Sequence, residues 1–241
     1  MFCVNVMWWI VLIVVAVILL LIIVVIVASS SSYNKGDYND GGGTQIGGDE
    51  SIPFFAPAND KAGMWGERVT NYHLRPLLRN DEYLLANLLL PLRNGHKTEI
   101  DCVLISRKGI FCIETKNWVG HIKGSDDDEV WIQEYDDPSM VDRHHDNPVI
   151  QNEKHCAILE KVLNNRYPVD NIVIFVDLDY WDEIDSKYVY SINEFKNYYR
   201  ELNDDEINQE ELKQIYQKLL RYVATEEELK QHREDVKRRY N

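Results

Sequence analysis

The stretch EIDCVLISRKGIFCIETK, residues 99–116, decides the fold. Two apolar runs, Val103-Leu104-Ile105 and Ile110-Phe111-Cys112-Ile113, stand on either side of Arg107-Lys108-Gly109. β-Branched and aromatic runs separated by a short polar, glycine-containing break read as two strands of a hairpin, here 99–106 and 110–116. With Lys108-Gly109 as the two-residue loop, Arg107 pairs with Ile110, and counting down the ladder sets Asp101 opposite Lys116. Opposed residues share a face, as do alternate residues along one strand, so Asp101, Glu114 and Lys116 come to the same face. A slip of one residue would send Asp101 to the other side.

Two carboxylates so placed suit Mg²⁺ or Mn²⁺, which prefer oxygen ligands. Such an ion lowers the pKa of a bound water and neutralises charge on a phosphate in the transition state. Lys116 is placed to orient or deprotonate that water, or to stabilise the phosphorane oxygens, and the Thr115 carbonyl is a further oxygen donor. The same residues also read as a cross-strand salt bridge on a solvated face, worth less than ~1 kcal/mol. Ile110, Cys112, Glu114 and Lys116 share one strand face, however, so the charges continue an apolar row and belong at the edge of a core.

Working outward, Asn147 is a good N-cap and Pro148 fits the first turn of a helix over 148–163. On that helix Gln151, His155, Ile158 or Leu159, and Val162 form one stripe. Gln151, at its polar start, is positioned to hydrogen-bond a metal-bound water or a phosphate; the alternative is an ordinary amide at a helix N-terminus. Upstream, 64–78 reads as a helix disturbed by Pro76 and 83–92 as an apolar strand. Downstream, 172–176 and 189–190 read as short strands, and the chain from Asn193 as helical and charged. The alternation points to an α/β or α+β domain around a mixed sheet. Its expected extent is 61–190, followed by a charged helical extension over 191–241, whose acidic Glu226-Glu227-Glu228 and basic Lys237-Arg238-Arg239 ends suit a solvated helix and its dipole.

From Val6 to Ala28 there is no charged or strongly polar side chain. A bilayer core needs roughly 20 apolar residues in a helix, and only a helix satisfies its backbone within one segment. This run predicts an N-terminal transmembrane helix, 6–28, with Trp8 and Trp9 as interfacial anchors. A cleaved signal peptide would have a basic start and a shorter apolar run. The Ser- and Gly-rich stretch 29–60 reads as a flexible linker. Lys35, Lys61 and Arg68 follow the span while Met1–Asn5 carries no basic side chain, which places the soluble domain in the cytoplasm. Cys102, Cys112 and Cys156 lack the spacing of a disulfide framework or a zinc site and suit a reducing compartment. A net charge of −14 argues against avid nonspecific binding of nucleic acid. It leaves room for a metal site, which needs carboxylates. His144-His145, flanked by Asp142 and Asp146, lacks defined ligand spacing and reads as a solvated loop.

One resemblance joins these features. Gly66-Glu67 on a helix, Glu99-Ile100-Asp101 with Val103-Leu104-Ile105-Ser106, Gly109-Ile110-Phe111, Ile113-Glu114-Thr115-Lys116-Asn117-Trp118 with Gly120, Trp131, and Asn147-Pro148 with Gln151-Asn152 resemble the nuclease-related domain, NERD, of the PD-(D/E)XK nuclease superfamily. The resemblance covers about residues 61–175, and its most specific part is Glu-Thr-Lys-Asn-Trp-x-Gly. It implies a restriction-endonuclease-like α/β core, a mixed sheet flanked by helices. It implies Asp101 and Glu114 as metal ligands, Glu67 as an additional acidic ligand, Lys116 as the catalytic lysine, and Gln151 as the glutamine of the following helix. His155 stands where related nucleases often carry a tyrosine. Two positions depart from the pattern: Cys102 replaces a histidine often found after the aspartate, and Ile100 stands at the proline position.

The expected function is a membrane-anchored, Mg²⁺- or Mn²⁺-dependent nuclease acting on DNA ahead of RNA. The other reading is a noncatalytic nucleic-acid-binding or scaffolding module on the same fold.

Overall fold

The computed structural model describes residues 58–176, 183–204 and 206–240. The expected transmembrane span at 6–28 lies outside them, as does the linker up to residue 57. Among the described residues no helix is long and apolar enough to cross a membrane.

The chain opens with helix α1 (Ala58–Leu74), which passes into a short 3-10 turn (Arg75–Leu77) at Pro76. Strands β1 (Tyr83–Pro91), β2 (Lys97–Ser106) and β3 (Gly109–Lys116) follow as an antiparallel meander. Next come β4 (His121–Ser125), β5 (Val130–Glu134) and β6 (Arg143–Asp146), then helix α2 (Pro148–Val162) and strand β7 (Val169–Phe175). Two short strands, β8 (Ile184–Asp185) and β9 (Val189–Ser191), precede helices α3 (Ile192–Glu201), α4 (Gln209–Leu220) and α5 (Glu226–Tyr240).

The main sheet has the order β1-β2-β3-β7-β9, with β7 parallel to β3 and β9 parallel to β7. A smaller sheet has the order β6-β5-β4-β8. This is a mixed α/β architecture with mixed sheets and flanking helices. The β3–α2–β7 crossover carries three strands of the smaller sheet, β4 to β6, as an insertion before α2, and β8 joins them after β7. That sheet was not legible in the sequence, where Asp126-Asp127-Asp128-Glu129 marks a polar stretch and His144-His145 reads as a solvated loop. Its strands are short, and of their apolar side chains only Ile122 and Trp131 are buried.

The hairpin register differs from the expected one. The turn residues are Arg107 and Lys108, Ser106 pairs with Gly109, and Cys102 pairs with Ile113. The same register sets Asp101 against Glu114 rather than Lys116. Glu82 fixes the turn by accepting the Arg107 backbone N–H at 3.0 Å. Because the register is displaced by an even number of residues, the expected face survives.

Apolar side chains fill both faces of the main sheet. On one, Val103, Ile105, Ile110 and Cys112 meet Cys156 and Leu159 of α2 and Leu212, Ile215 and Leu219 of α4. On the other, Cys102, Leu104, Phe111 and Ile113 meet Leu74 of α1 and Phe195 and Tyr199 of α3. The helices beyond residue 190 thus supply core to both faces. Their starts are set by capping boxes, Ser191 with Glu194 and Asn208 with Glu211.

Candidate active site

Asp101, Glu114 and Lys116 lie toward the ends of β2 and β3, on the face covered by α2. The side chain of Glu114 is almost wholly buried, that of Lys116 is 15 % exposed, and Lys116 Nζ donates to Glu114 Oε1 at 2.6 Å. Gln151 closes the group: its Oε1 accepts from Lys116 Nζ at 3.2 Å, and its Nε2 donates to Glu114 Oε1 at 2.8 Å. Asp101 Oδ2 accepts the Thr115 backbone N–H at 2.9 Å, a bond across the hairpin that fixes this carboxylate beside Glu114.

Helix α2 is held in place from its first turn. The Asn147 side chain accepts from the Val149 and Ile150 N–H groups, as its N-cap role requires, and its amide donates to the Asp128 carbonyl at 2.6 Å. Buried Asn152 donates through Nδ2 to the carbonyls of Cys112 at 2.8 Å and Ile172 at 3.0 Å, and to Asn171 Oδ1 at 2.8 Å. These bonds join α2 to β3 and β7 and set where Gln151 and His155 point. His155 Nδ1 stands 3.6 Å from Glu114 Oε2. That distance is too long for a hydrogen bond, and the atom has no hydrogen-bond partner among the described residues.

Glu67 enters from α1. Gly66 lets that helix approach the end of β3: a Cβ there would lie 3.0 Å from Asn117 Cβ. Glu67, Glu99, Asp101 and Gln151 line a cavity of about 300 Å³ together with Gly63, Met64 and Arg233. Arg233 and Glu99 are site residues that the sequence reading missed. Arg233 lies on α5 and pairs with Glu99, 134 residues away in the chain, and no local pattern joins the two.

The charges in the site are set against one another. Burial raises Asp101 well above the usual carboxylate range, and Glu114 and Glu67 raise it further. Glu67 is raised to about 7, first by burial, with Arg233 opposing and Glu99 and Glu114 adding. Glu114 goes the other way. Burial pushes it up, but Lys116 and His155 together outweigh burial and hold it at about 2. Burial pulls Lys116 down, yet Glu114 and Asp101 outweigh it and raise the ammonium's pKa. In this arrangement Lys116 is a fixed positive charge and not a free base.

Cys102, at the position after Asp101, is buried in the core on the other side of the sheet, so its replacement of histidine does not touch this face. His145 lies outside the carboxylate group. Its Nε2 is 2.8 Å from Gln133 Oε1, and its ring stacks on Trp118 with centroids 4.0 Å apart. Lys116 Nζ sits 5.6 Å from the centroid of the same Trp118 ring.

The donors in the cavity are hard carboxylate oxygens, as Mg²⁺ and Mn²⁺ require. Burial first, and neighbouring carboxylates second, raise Asp101 and Glu67, and a divalent cation bound between them would offset both effects. Among the described residues no group of three or more His, Cys, Asp or Glu side chains is arranged as a metal cage. Mg²⁺ does not need one, because it keeps several waters and commonly takes one or two carboxylates.

The chain is 26 % identical over 163 residues to an uncharacterized protein of Bacillus anthracis, covering 66 % of this chain and 76 % of that protein. No solved structure matches it. Residues 62–176 match the family described as nuclease-related domain, from α1 through β7, the segment that supplies Glu67, Asp101, Glu114, Lys116 and Gln151. Residues 62–176 are therefore identified as a nuclease-related domain (NERD), which belongs to the PD-(D/E)XK nuclease superfamily.

Proposed function

We propose that this protein is a metal-dependent phosphodiesterase acting on DNA ahead of RNA, built on a restriction-endonuclease-like core. The observation that carries the reading is the hydrogen-bonded group of Glu114, Lys116 and Gln151 on one sheet face, with Asp101 fixed beside it by the Thr115 backbone N–H, next to a cavity lined by Asp101 and Glu67. A solvated salt bridge has no need of a buried glutamate shared by a lysine and a glutamine.

In this reading Asp101 and Glu67 would hold Mg²⁺ or Mn²⁺, with Glu114 beside them. The ion would activate water and neutralise phosphate charge. Lys116, kept protonated by Glu114 and Asp101, stabilises negative charge developing on the phosphate oxygens. Gln151 holds the Lys116 ammonium and the Glu114 carboxylate in one orientation, so neither needs to reorganise as charge develops.

The apolar stretch 6–28 supports attachment to a membrane by a single span, with the nuclease-related domain on the cytoplasmic side. Such a tether would confine cleavage to nucleic acid that comes near the bilayer.

Purified full-length chain should cleave DNA with Mg²⁺ or Mn²⁺ and not with EDTA. Asp101→Ala and Lys116→Ala should each lower the rate at least a hundredfold. Equal cleavage by all three proteins would remove the assignment. Binding of nucleic acid without cleavage by any of them would favour the noncatalytic module.

A further inference from the structure

Among the described residues, the candidate cavity is lined by three carboxylates, Glu67, Glu99 and Asp101, and by one cation, Arg233. That arginine comes from α5, outside the matched segment 62–176. Its Nε lies 3.2 and 3.1 Å from the two oxygens of Glu99, and its Nη2 also donates to Glu99. Nη2 is 3.8 Å from Glu67 Oε1 as well. The side chain remains one-third exposed. A guanidinium has five N–H donors in a planar fork, and Glu99 uses only those on one edge.

The chain anchors this helix deliberately. Asn87 adopts φ +57°, a left-handed conformation that asparagine tolerates better than most residues, and the β1–β2 ladder skips it where it faces Asp101. Its freed carbonyl accepts the Ala224 N–H at 2.9 Å, while Leu89 N–H donates to the Tyr222 carbonyl at 2.9 Å. Leu229 then buries against Leu89 and Ala224 at the start of α5. The segment leading to α5 is thus tied to the strand opposite Asp101, and Arg233, one turn beyond Leu229, reaches the cavity.

We propose that Arg233 is a substrate-positioning residue that binds the non-bridging oxygens of the phosphodiester, with Glu99 holding its guanidinium in place. The proposal rests on the nuclease reading of the cavity and adds to it a part of the site that the family segment lacks. A phosphodiester entering a space lined by three carboxylates meets repulsion unless cations face it. A metal on Asp101 and Glu67 would supply one, and the guanidinium edge that Glu99 leaves unused, whose Nη2 then trades its longer contact with Glu67 for phosphate, supplies the other in a geometry that matches two phosphate oxygens. The opposite role, a plug that competes with metal for Glu67, predicts the reverse effects and is one outcome of the test.

The test compares the full-length wild type, Arg233→Ala and Arg233→Lys. Binding of a fluorescent DNA oligonucleotide is read by anisotropy in Ca²⁺, which needs no cleavage, and Mn²⁺ affinity is read by titration without DNA. Arg233→Ala should bind DNA at least tenfold more weakly, hold Mn²⁺ as tightly as the wild type or more so, and regain part of its DNA affinity with Arg233→Lys or added guanidinium. Unchanged or tighter DNA binding by Arg233→Ala overturns the proposal and identifies a plug. Joint loss of DNA and Mn²⁺ binding without recovery overturns it in favour of a purely structural role. Absence of DNA binding by the wild type also overturns it. If the wild type binds but does not cleave in Mg²⁺, the nuclease reading fails by itself, and the binding arm still decides the role of Arg233.

Discussion

Glu67 and Asp101 connect the site's chemistry to the stability of the fold with opposite signs. Glu67 is raised to about 7 in the folded chain, above its ordinary value of 4.5. The folded state therefore binds a proton that the unfolded state has released, and stability falls as pH rises from the unfolded pKa through about 7. Metal binding asks for the reverse, since only the ionised carboxylate is a ligand. Two results are expected. Glu67→Gln should raise the unfolding free energy at pH 8 by ~1–3 kcal/mol, with little effect at pH 5, in chemical denaturation at the two pH values. Metal binding at pH 6.5 should release protons, seen as a dependence of the titration heat on buffer ionisation enthalpy, and Glu67→Gln should reduce that release. A Glu67→Gln protein less stable than wild type at pH 8 would show that Glu67 is ionised and well paired in the free protein. Residue types at strand and helix spacing pointed to Asp101, Glu114, Lys116 and Gln151 in the sequence, and Glu67 was added by the family resemblance alone. The sequence could not show their balance of charge, because burial and the Arg233 contact are properties of the folded chain.

Elements decide how accurately such side chains are aimed. The hairpin was legible as two apolar runs, but its turn was read one residue too far along. Gly109 drew the turn toward itself, whereas it opens β3 at φ +138° and Arg107-Lys108 make the turn. Strand parity protected the functional reading: an even displacement keeps Asp101, Glu114 and Lys116 on one face and changes only the cross-strand partner. Helix α2 was legible from Asn147-Pro148, and its orientation depends on Asn152. Asn152→Leu should leave buried carbonyl and amide groups poorly satisfied and cost ~1–3 kcal/mol in thermal or denaturant unfolding. It should lower cleavage by more than the loss of folded protein explains, since Gln151 and His155 sit on the same helix. Activity that tracks the folded fraction alone would limit Asn152 to a structural part. Helix α5 was read as a solvated charged helix, and most of its surface is one. Its docking depends on the left-handed Asn87, so Asn87→Val should destabilise the fold by ~1–2 kcal/mol while Asn87→Gly is tolerated. The valine protein should also lose protection of the Ala224 amide in hydrogen exchange, an effect that strain confined to β1 would not produce.

At the scale of the whole chain, the net charge of −14 sets a constraint that neither the site nor any one element reveals. Proteins that bind nucleic acid by covering many phosphates with lysine and arginine show steep salt dependence, with a log–log slope near −0.9 for each phosphate neutralised on a duplex. Among the described residues the cation lining the candidate cavity is Arg233, with Lys116 behind it and a metal added under the nuclease reading, while the net charge of the chain disfavours a polyanion. Affinity for DNA should therefore depend on divalent cation and rest on few phosphates. Anisotropy titrations from 50 to 200 mM KCl at fixed Ca²⁺ should give a slope of about −2 to −3, and EDTA should remove most of the binding. A slope of −6 or steeper, or binding that persists in EDTA, would mean that a separate basic surface does the holding and that the cavity is not the principal contact. The same weakness gives the apolar stretch at 6–28 a physical purpose under the anchored reading. A site that grips few phosphates gains from a raised local concentration of its substrate, and confinement at a membrane provides that without adding a contact.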